Sequence, residues 1–166
     1  MSIAFRPLTV EDIPLFEDWL RRPHVAEWWH PDETTIPETL DAIEGRDPSD
    51  HYLILLDGRP VGMIQTYLVS DFPEWEEIVH VGPGVAGVDL LIGETELIGR
   101  GLGTEVLRAF VRDVVFARPE TDAVVAGVEP SNRRSLRAFE KAGFVAAGDY
   151  EEEGRPHRLM RLERPG

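Results

Sequence analysis

The chain has 166 residues, with 31 acidic against 17 basic side chains, a formal net charge of -14 and no cysteine. That length suits a single domain over residues 1–166, with enough chain to bury a core. The charge argues against nucleic acid or an anionic membrane as partner, because both select basic surfaces. The missing cysteines exclude disulfides, thiolate metal sites and a cysteine nucleophile. No apolar run is long enough to cross a bilayer and the start is not signal-like, so a cytoplasmic location is expected.

An apolar stretch at residues 3–5 opens the chain. Thr9-Val10-Glu11-Asp12 has the form of a capping box and predicts a helix to about Arg21, with Ile13, Phe16, Trp19 and Leu20 on its buried face. Pro23 stops that helix. Thr35-Ile36-Pro37-Glu38 starts another, to about Glu44. Residues 51–56 and 61–69 read as strands joined through Asp57-Gly58, a strong hairpin signal between apolar runs. Residues 70–87 are acidic and loop-like, with a candidate short strand at 78–81. A strand at 88–92 precedes an amphipathic helix over 102–116, whose apolar face carries Leu102, Val106, Phe110, Val111 and Val114. The apolar run 123–128 predicts a central strand covered on both faces. A helix over 132–141 ends at Ala142-Gly143, and residues 144–150 and 157–162 close the chain as an antiparallel pair. This order predicts an α/β (α+β) fold on a mixed sheet, not a doubly wound one.

Ile98-Gly99-Arg100-Gly101-Leu102-Gly103-Thr104 lies between a strand and the long helix. Glycines there let the backbone approach a ligand, and outward N–H groups at a helix N-terminus favour an anion. Pyrophosphate is the natural occupant; a turn with a helix cap is the plain alternative. No Lys-Ser/Thr pair follows, which excludes a P-loop, and Gly99-x-Gly101-x-Gly103 lacks the Rossmann spacing.

The loop resembles the acyl-CoA pyrophosphate loop of the GNAT N-acetyltransferases, with Gly101 and Gly103 matching and Ile98 standing where Gln or Arg is usual. Glu129-Pro130-Ser131-Asn132-Arg133-Arg134-Ser135-Leu136, followed by Phe139-Glu140-Lys141-Ala142-Gly143-Phe144, resembles that family's later motif. The resemblance implies a mixed, mostly antiparallel sheet of about six to seven strands flanked by about four helices. Two parallel strands, 88–92 and 123–128, would splay to admit acyl-CoA. It implies acetyl-CoA as cosubstrate, paired with the main chain of Leu90, Leu91 and Ile92 like an added strand. The loop residues Ile98, Gly99, Arg100, Gly101, Leu102, Gly103 and Thr104 would hold its phosphates, with Asn132 on the pantetheine arm and Arg133 and Arg137 nearby. The two arginines read equally as a solvated helix face.

Nearly the whole chain resembles the aminoglycoside 6'-N-acetyltransferases. Trp19-Leu20-x-Arg22-x-His24-Val25-x-Glu27-Trp28-Trp29 looks like their opening segment, and Gly82-Pro83-Gly84-Val85-Ala86-Gly87-Val88-Asp89-Leu90-Leu91 is the most specific match. The resemblance implies that Asp89 meets the reacting amine as general base and that Glu129 helps hold the cationic sugar rings. The chemistry agrees: an amine attacking a thioester must lose a proton, and a carboxylate can take it. An ungapped match from Gln65 to Asp89 puts Glu74 at one of that family's substrate-binding positions, and Glu153, outside that match, lies near another; their acidic clusters, Asp71, Glu74, Glu76 and Glu77 and Asp149, Glu151, Glu152 and Glu153, also read as solvated loops. Gln65 and Tyr67 alternate on their strand and so share a face, the expected cleft face. Trp19 reads as core, whereas Trp28 or Trp29 could wall a sugar ring, Trp28 being the candidate.

Many relatives carry a tyrosine that protonates the leaving thiolate where this chain has Phe139; solvent, or more distantly Tyr150, is left for that step. The five histidines show no metal-ligand spacing, so no metal is expected. Alternatives are a GNAT enzyme for a siderophore hydroxylysine or lysine group or for a protein N-terminus, and a non-catalytic acyl-CoA-binding sensor. Either a monomer or a homodimer is compatible with the chain.

Overall fold

The computed structural model describes residues 2–166. Seven strands follow the order β1-β2-β3-β4-β5-β7-β6: β1 (Ile3–Pro7), β2 (Asp50–Leu56), β3 (Arg59–Leu68), β4 (Val85–Ile92), β5 (Ala123–Val128), β6 (Val145–Glu152) and β7 (Arg155–Glu163). Six α-helices accompany them among the described residues: α1 (Ile13–Arg21), α2 (Pro23–Trp29), α3 (Thr35–Ile43), α4 (Pro73–Val79), α5 (Leu102–Phe110) and α6 (Arg133–Lys141). The mixed sheet is as predicted; α2 and α4 exceed the four expected helices. Two compact units are formed, one by residues up to Thr66 together with Asp89–Arg100, the other by Tyr67–Val88 together with Gly101–Gly166.

In the first unit the Asp12 carboxylate accepts the Thr9 N–H at 2.9 Å, closing a 3-10 turn that leads into α1. The predicted face of α1, Ile13, Phe16, Trp19 and Leu20, is the buried one. It joins Leu8, Val25, Leu53, Met63 and Leu91 in one apolar cluster. Trp19 is fully buried, and truncating such a side chain costs about 3–5 kcal/mol. Pro23 ends α1 but also begins α2, at the position where a missing N–H costs nothing. The β2–β3 hairpin turns at Asp57 and Gly58, with φ of 50° and 81°, the left-handed pair that a two-residue turn demands.

In the second unit the strand expected at 78–81 is absent, because Ile78 and Val79 complete α4. Pro73 pre-sets the first turn, and Glu74 and Glu76 there suit the positive end of the helix. β4 begins at Val85, three residues before the predicted start at Val88, and Val85, Ala86, Gly87 and Val88 are all buried. After α5 the chain widens into a π-helical turn over Val111–Val115, so Val115, not Val114, is buried. β5 is buried along almost its whole length, as predicted. Its parallel ladder with β4 pairs Val85, Ala86 and Gly87 with Ala123, Val124 and Val125. β6 and β7 close the chain as an antiparallel hairpin.

Candidate active site

Asp89 and Gln65 are brought together. The Gln65 side-chain amide donates from Nε2 to Asp89 Oδ2 at 3.1 Å, which orients the carboxylate. Directly across the β2–β3 ladder from Gln65 stands His51. Its Nε2 lies 3.2 Å from Ser49 Oγ, and its Nδ1 is buried without a hydrogen-bond partner. Burial pushes this imidazole below the usual histidine range, against the pull of Asp47 and Asp50. No spacing in the sequence marks His51, which meets Gln65 only across the folded hairpin.

The Trp19–Trp29 segment acquires a definite role within the first unit. Trp19 Nε1 donates to Glu94 Oε2 at 2.8 Å, and Arg22 Nη1 to the Gly93 carbonyl at 2.7 Å. His24 Nε2 lies 3.0 Å from the Ile92 carbonyl, and Trp29 Nε1 donates to the Leu90 carbonyl at 3.2 Å. A carbonyl only accepts, so the His24 proton sits on Nε2. Three of these side chains therefore strap the backbone from Leu90 to Gly93, and Trp19 holds the side chain of Glu94. The Trp19 indole N–H, more than any other group, holds the Glu94 carboxyl below the ordinary carboxylate range. Trp29 belongs to this strap and packs on the apolar cluster, whereas Trp28 is half-buried. Contacts that join residues 61 to 75 positions apart leave no local signal in the sequence.

At the glycine loop, Gly101 takes φ of 77° and caps α5. A β-carbon at Gly99 or Gly101 would meet no atom within 4 Å, so the left-handed backbone, not crowding, calls for glycine. That open approach to the first N–H groups of α5 fits an anionic cosubstrate. Gly103 faces Ala138 at ordinary contact distance, and Thr104 is buried. Asn132 caps α6, its Oδ1 accepting the Ser135 N–H at 3.3 Å. Arg133 and Arg137 are exposed on α6, one turn apart and hence on one face.

In the second unit the Tyr67 ring lies over Gly87, where a β-carbon would come within 2.4 Å of the ring. Phe72 and Trp75 meet it edge-on, at 5.1 and 5.9 Å between centroids. Glu74 is exposed in the first turn of α4, while Glu76 accepts the Gly82 N–H at 2.8 Å. Glu129 and Glu153 converge on one guanidinium: Arg155 Nε is 3.9 Å from Glu129 Oε1, and Arg155 Nη2 is 3.3 Å from Glu153 Oε2. Phe139 is buried edge-on against Phe144, and Tyr150 stacks on His157. Among the described residues no group of three His, Asp or Glu side chains could hold a metal, and no helix is long and apolar enough to cross a membrane.

The acetyltransferase (GNAT) domain family matches residues 9–151. The aminoglycoside N(6')-acetyltransferase type 1 of Klebsiella pneumoniae is 35% identical over 156 residues, covering 89% of this chain and 76% of that protein. The solved structure of the aminoglycoside acetyltransferase AAC(6')-Ib in complex with coenzyme A and kanamycin is 32% identical, covers 98% of this chain and 95% of that one, and superposes with a TM-score of 0.87. A structure of AAC(6')-Ib with paromomycin and acetyl-CoA superposes with the same TM-score and identity over 99% of this chain and 94% of that one. With its sheet, its glycine loop and its Asp89–Gln65 pair in view, the chain belongs to the GNAT acetyltransferase family.

Proposed function

We propose that residues 1–166 work as one GNAT domain, an acetyl-CoA-dependent aminoglycoside 6'-N-acetyltransferase of the cytoplasm that transfers the acetyl group directly to the 6'-amine. The observation that carries this reading is the 35% identity to an aminoglycoside N(6')-acetyltransferase over 89% of the chain, a span that includes the Gly-Val-Asp89 segment. Acetyl-CoA supplies an activated acyl thioester; the chain's own residues do the rest. The Leu90–Ile92 main chain, the N–H groups at the start of α5, the Asn132 amide and the Arg133 and Arg137 side chains bind the cosubstrate. Asp89, held by Gln65, receives the proton that the ammonium must lose before its nitrogen can attack. Glu129 and Glu153 take charge-assisted hydrogen bonds from the other ammonium groups, with the more exposed Glu74 as a third. Tyr67 and Trp28 offer aromatic faces to the rings. Phe139 has no proton to give, so the leaving thiolate draws one from solvent.

Purified protein given acetyl-CoA and kanamycin should release free CoA thiol at a rate that saturates in both. Absence of turnover across a panel of kanamycin, tobramycin and paromomycin contradicts the reading.

A further inference from the structure

The two carboxylates assigned to the cationic substrate share a cation that the chain itself provides. Arg155, the first residue of β7, reaches Glu129 just beyond β5 and Glu153 in the β6–β7 turn. Resting on the function proposed above, we infer that Arg155 is a specificity-determining residue, a resident counter-ion that substrate ammonium groups must compete with.

Three features separate this arrangement from an ordinary orienting arginine. An arginine that orients a carboxylate does so through short, usually paired hydrogen bonds. Here the approach to Glu129 is 3.9 Å, close enough for charge and too long for a hydrogen bond. The Arg155 Nε–H is accordingly buried without a partner, so the guanidinium offsets the charge of Glu129 without hydrogen-bonding it through Nε. Lastly, Glu153 adopts φ of 51° beside Gly154, in a left-handed turn position where Gly, Asn or Asp is the unstrained choice. Glutamate there sets a carboxylate within reach of Arg155.

The consequence concerns selectivity among amines. A substrate ammonium able to hydrogen-bond Glu129 directly offers a better partner than the guanidinium, but it gains only the difference. Arg155 thus lowers affinity for polyamines in general and favours acceptors whose amines reach both carboxylates at once.

The test is steady-state kinetics of wild type, Arg155→Gln and Arg155→Lys with kanamycin, at two salt concentrations, alongside acetyl-CoA KM and thermal melting. Arg155→Gln should lower the kanamycin KM about three- to fivefold, the scale of one partly exposed charge pair. Its salt dependence should steepen, with kcat and the acetyl-CoA KM unchanged. Arg155→Lys keeps the charge and should keep the wild-type KM. A kanamycin KM that rises or stays put in Arg155→Gln overturns the proposal, as does a lysine variant that behaves like the glutamine one. Failure of wild type itself to acetylate any aminoglycoside overturns the functional reading and this inference with it. Wild-type turnover with an unresponsive Arg155→Gln overturns this inference alone.

Discussion

The end of β4 and the start of α5 are assigned to the same cosubstrate, yet they are built in opposite ways. From Leu90 to Glu94 the chain is tied down by side chains: Trp29, His24, Arg22 and Trp19 each bond a carbonyl or carboxylate in that run. At Gly99 and Gly101 the backbone stands clear, with nothing within 4 Å of where a β-carbon would sit. The first region is pre-organised by donors from distant parts of the sequence; the second is shaped by backbone dihedrals alone. Side-chain substitutions should therefore disturb the strap gradually, whereas in the exposed part of the loop the left-handed glycines Gly99 and Gly101 are the sensitive positions.

The largest contrast is expected at the loop. Gly101→Val forces a β-branched residue into a left-handed conformation that costs roughly 1–2 kcal/mol and puts two methyl groups in the anion's approach. Acetyl-CoA affinity, read by calorimetric titration, should fall on the order of tenfold or more. Retained affinity removes the loop from the phosphate site.

At the strap, Trp29→Phe keeps a ring against the apolar cluster and deletes the bond to the Leu90 carbonyl. Stability should drop by about 1 kcal/mol in denaturant melts, with a few-fold rise in the acetyl-CoA KM. If neither quantity moves, the strap is packing without pre-organisation.

The smallest effect is a pH signature. Glu94 titrates below the ordinary glutamate value of 4.5 because Trp19, Arg59 and Arg22 favour its charged form. A carboxyl depressed in the folded state contributes stability that is fully present above its unfolded value and is lost as pH falls through the folded one. Thermal melts of the wild type should weaken below about pH 4.5 more steeply than those of Glu94→Gln. Parallel curves contradict that account.

What the sequence disclosed and what it hid divide along the same physical line. Features set by neighbouring residues were legible: the Asp57-Gly58 turn, the buried face of α1 and the covered strand β5. Misreadings arose where local signals were thin or ambiguous. α2 and α4 are seven residues each, too short for a 3.6-residue period to declare itself. Ile78 and Val79 have strand-like side chains that Pro73 and the acidic first turn outweigh. The π turn displaced the buried face by one residue, from Val114 to Val115. Of the candidate site, Asp89 and Gln65 lie on neighbouring strands; the resemblance of the Gly-Val-Asp segment to the aminoglycoside 6'-N-acetyltransferases pointed to Asp89, and strand alternation to Gln65. By contrast, no spacing rule could join Trp29 to Leu90 or Arg155 to Glu129, since only the folded chain brings them together.

The central claim is that Asp89 takes the proton from the 6'-amine of an aminoglycoside. Single-turnover acetylation of kanamycin, with the product mapped by NMR, tests it in wild type and Asp89→Asn. The account predicts acetyl on the 6'-nitrogen and a rate about 100-fold or more lower in the variant, with acetyl-CoA binding intact. Acetylation at another amine, or an unchanged rate in Asp89→Asn, would contradict it.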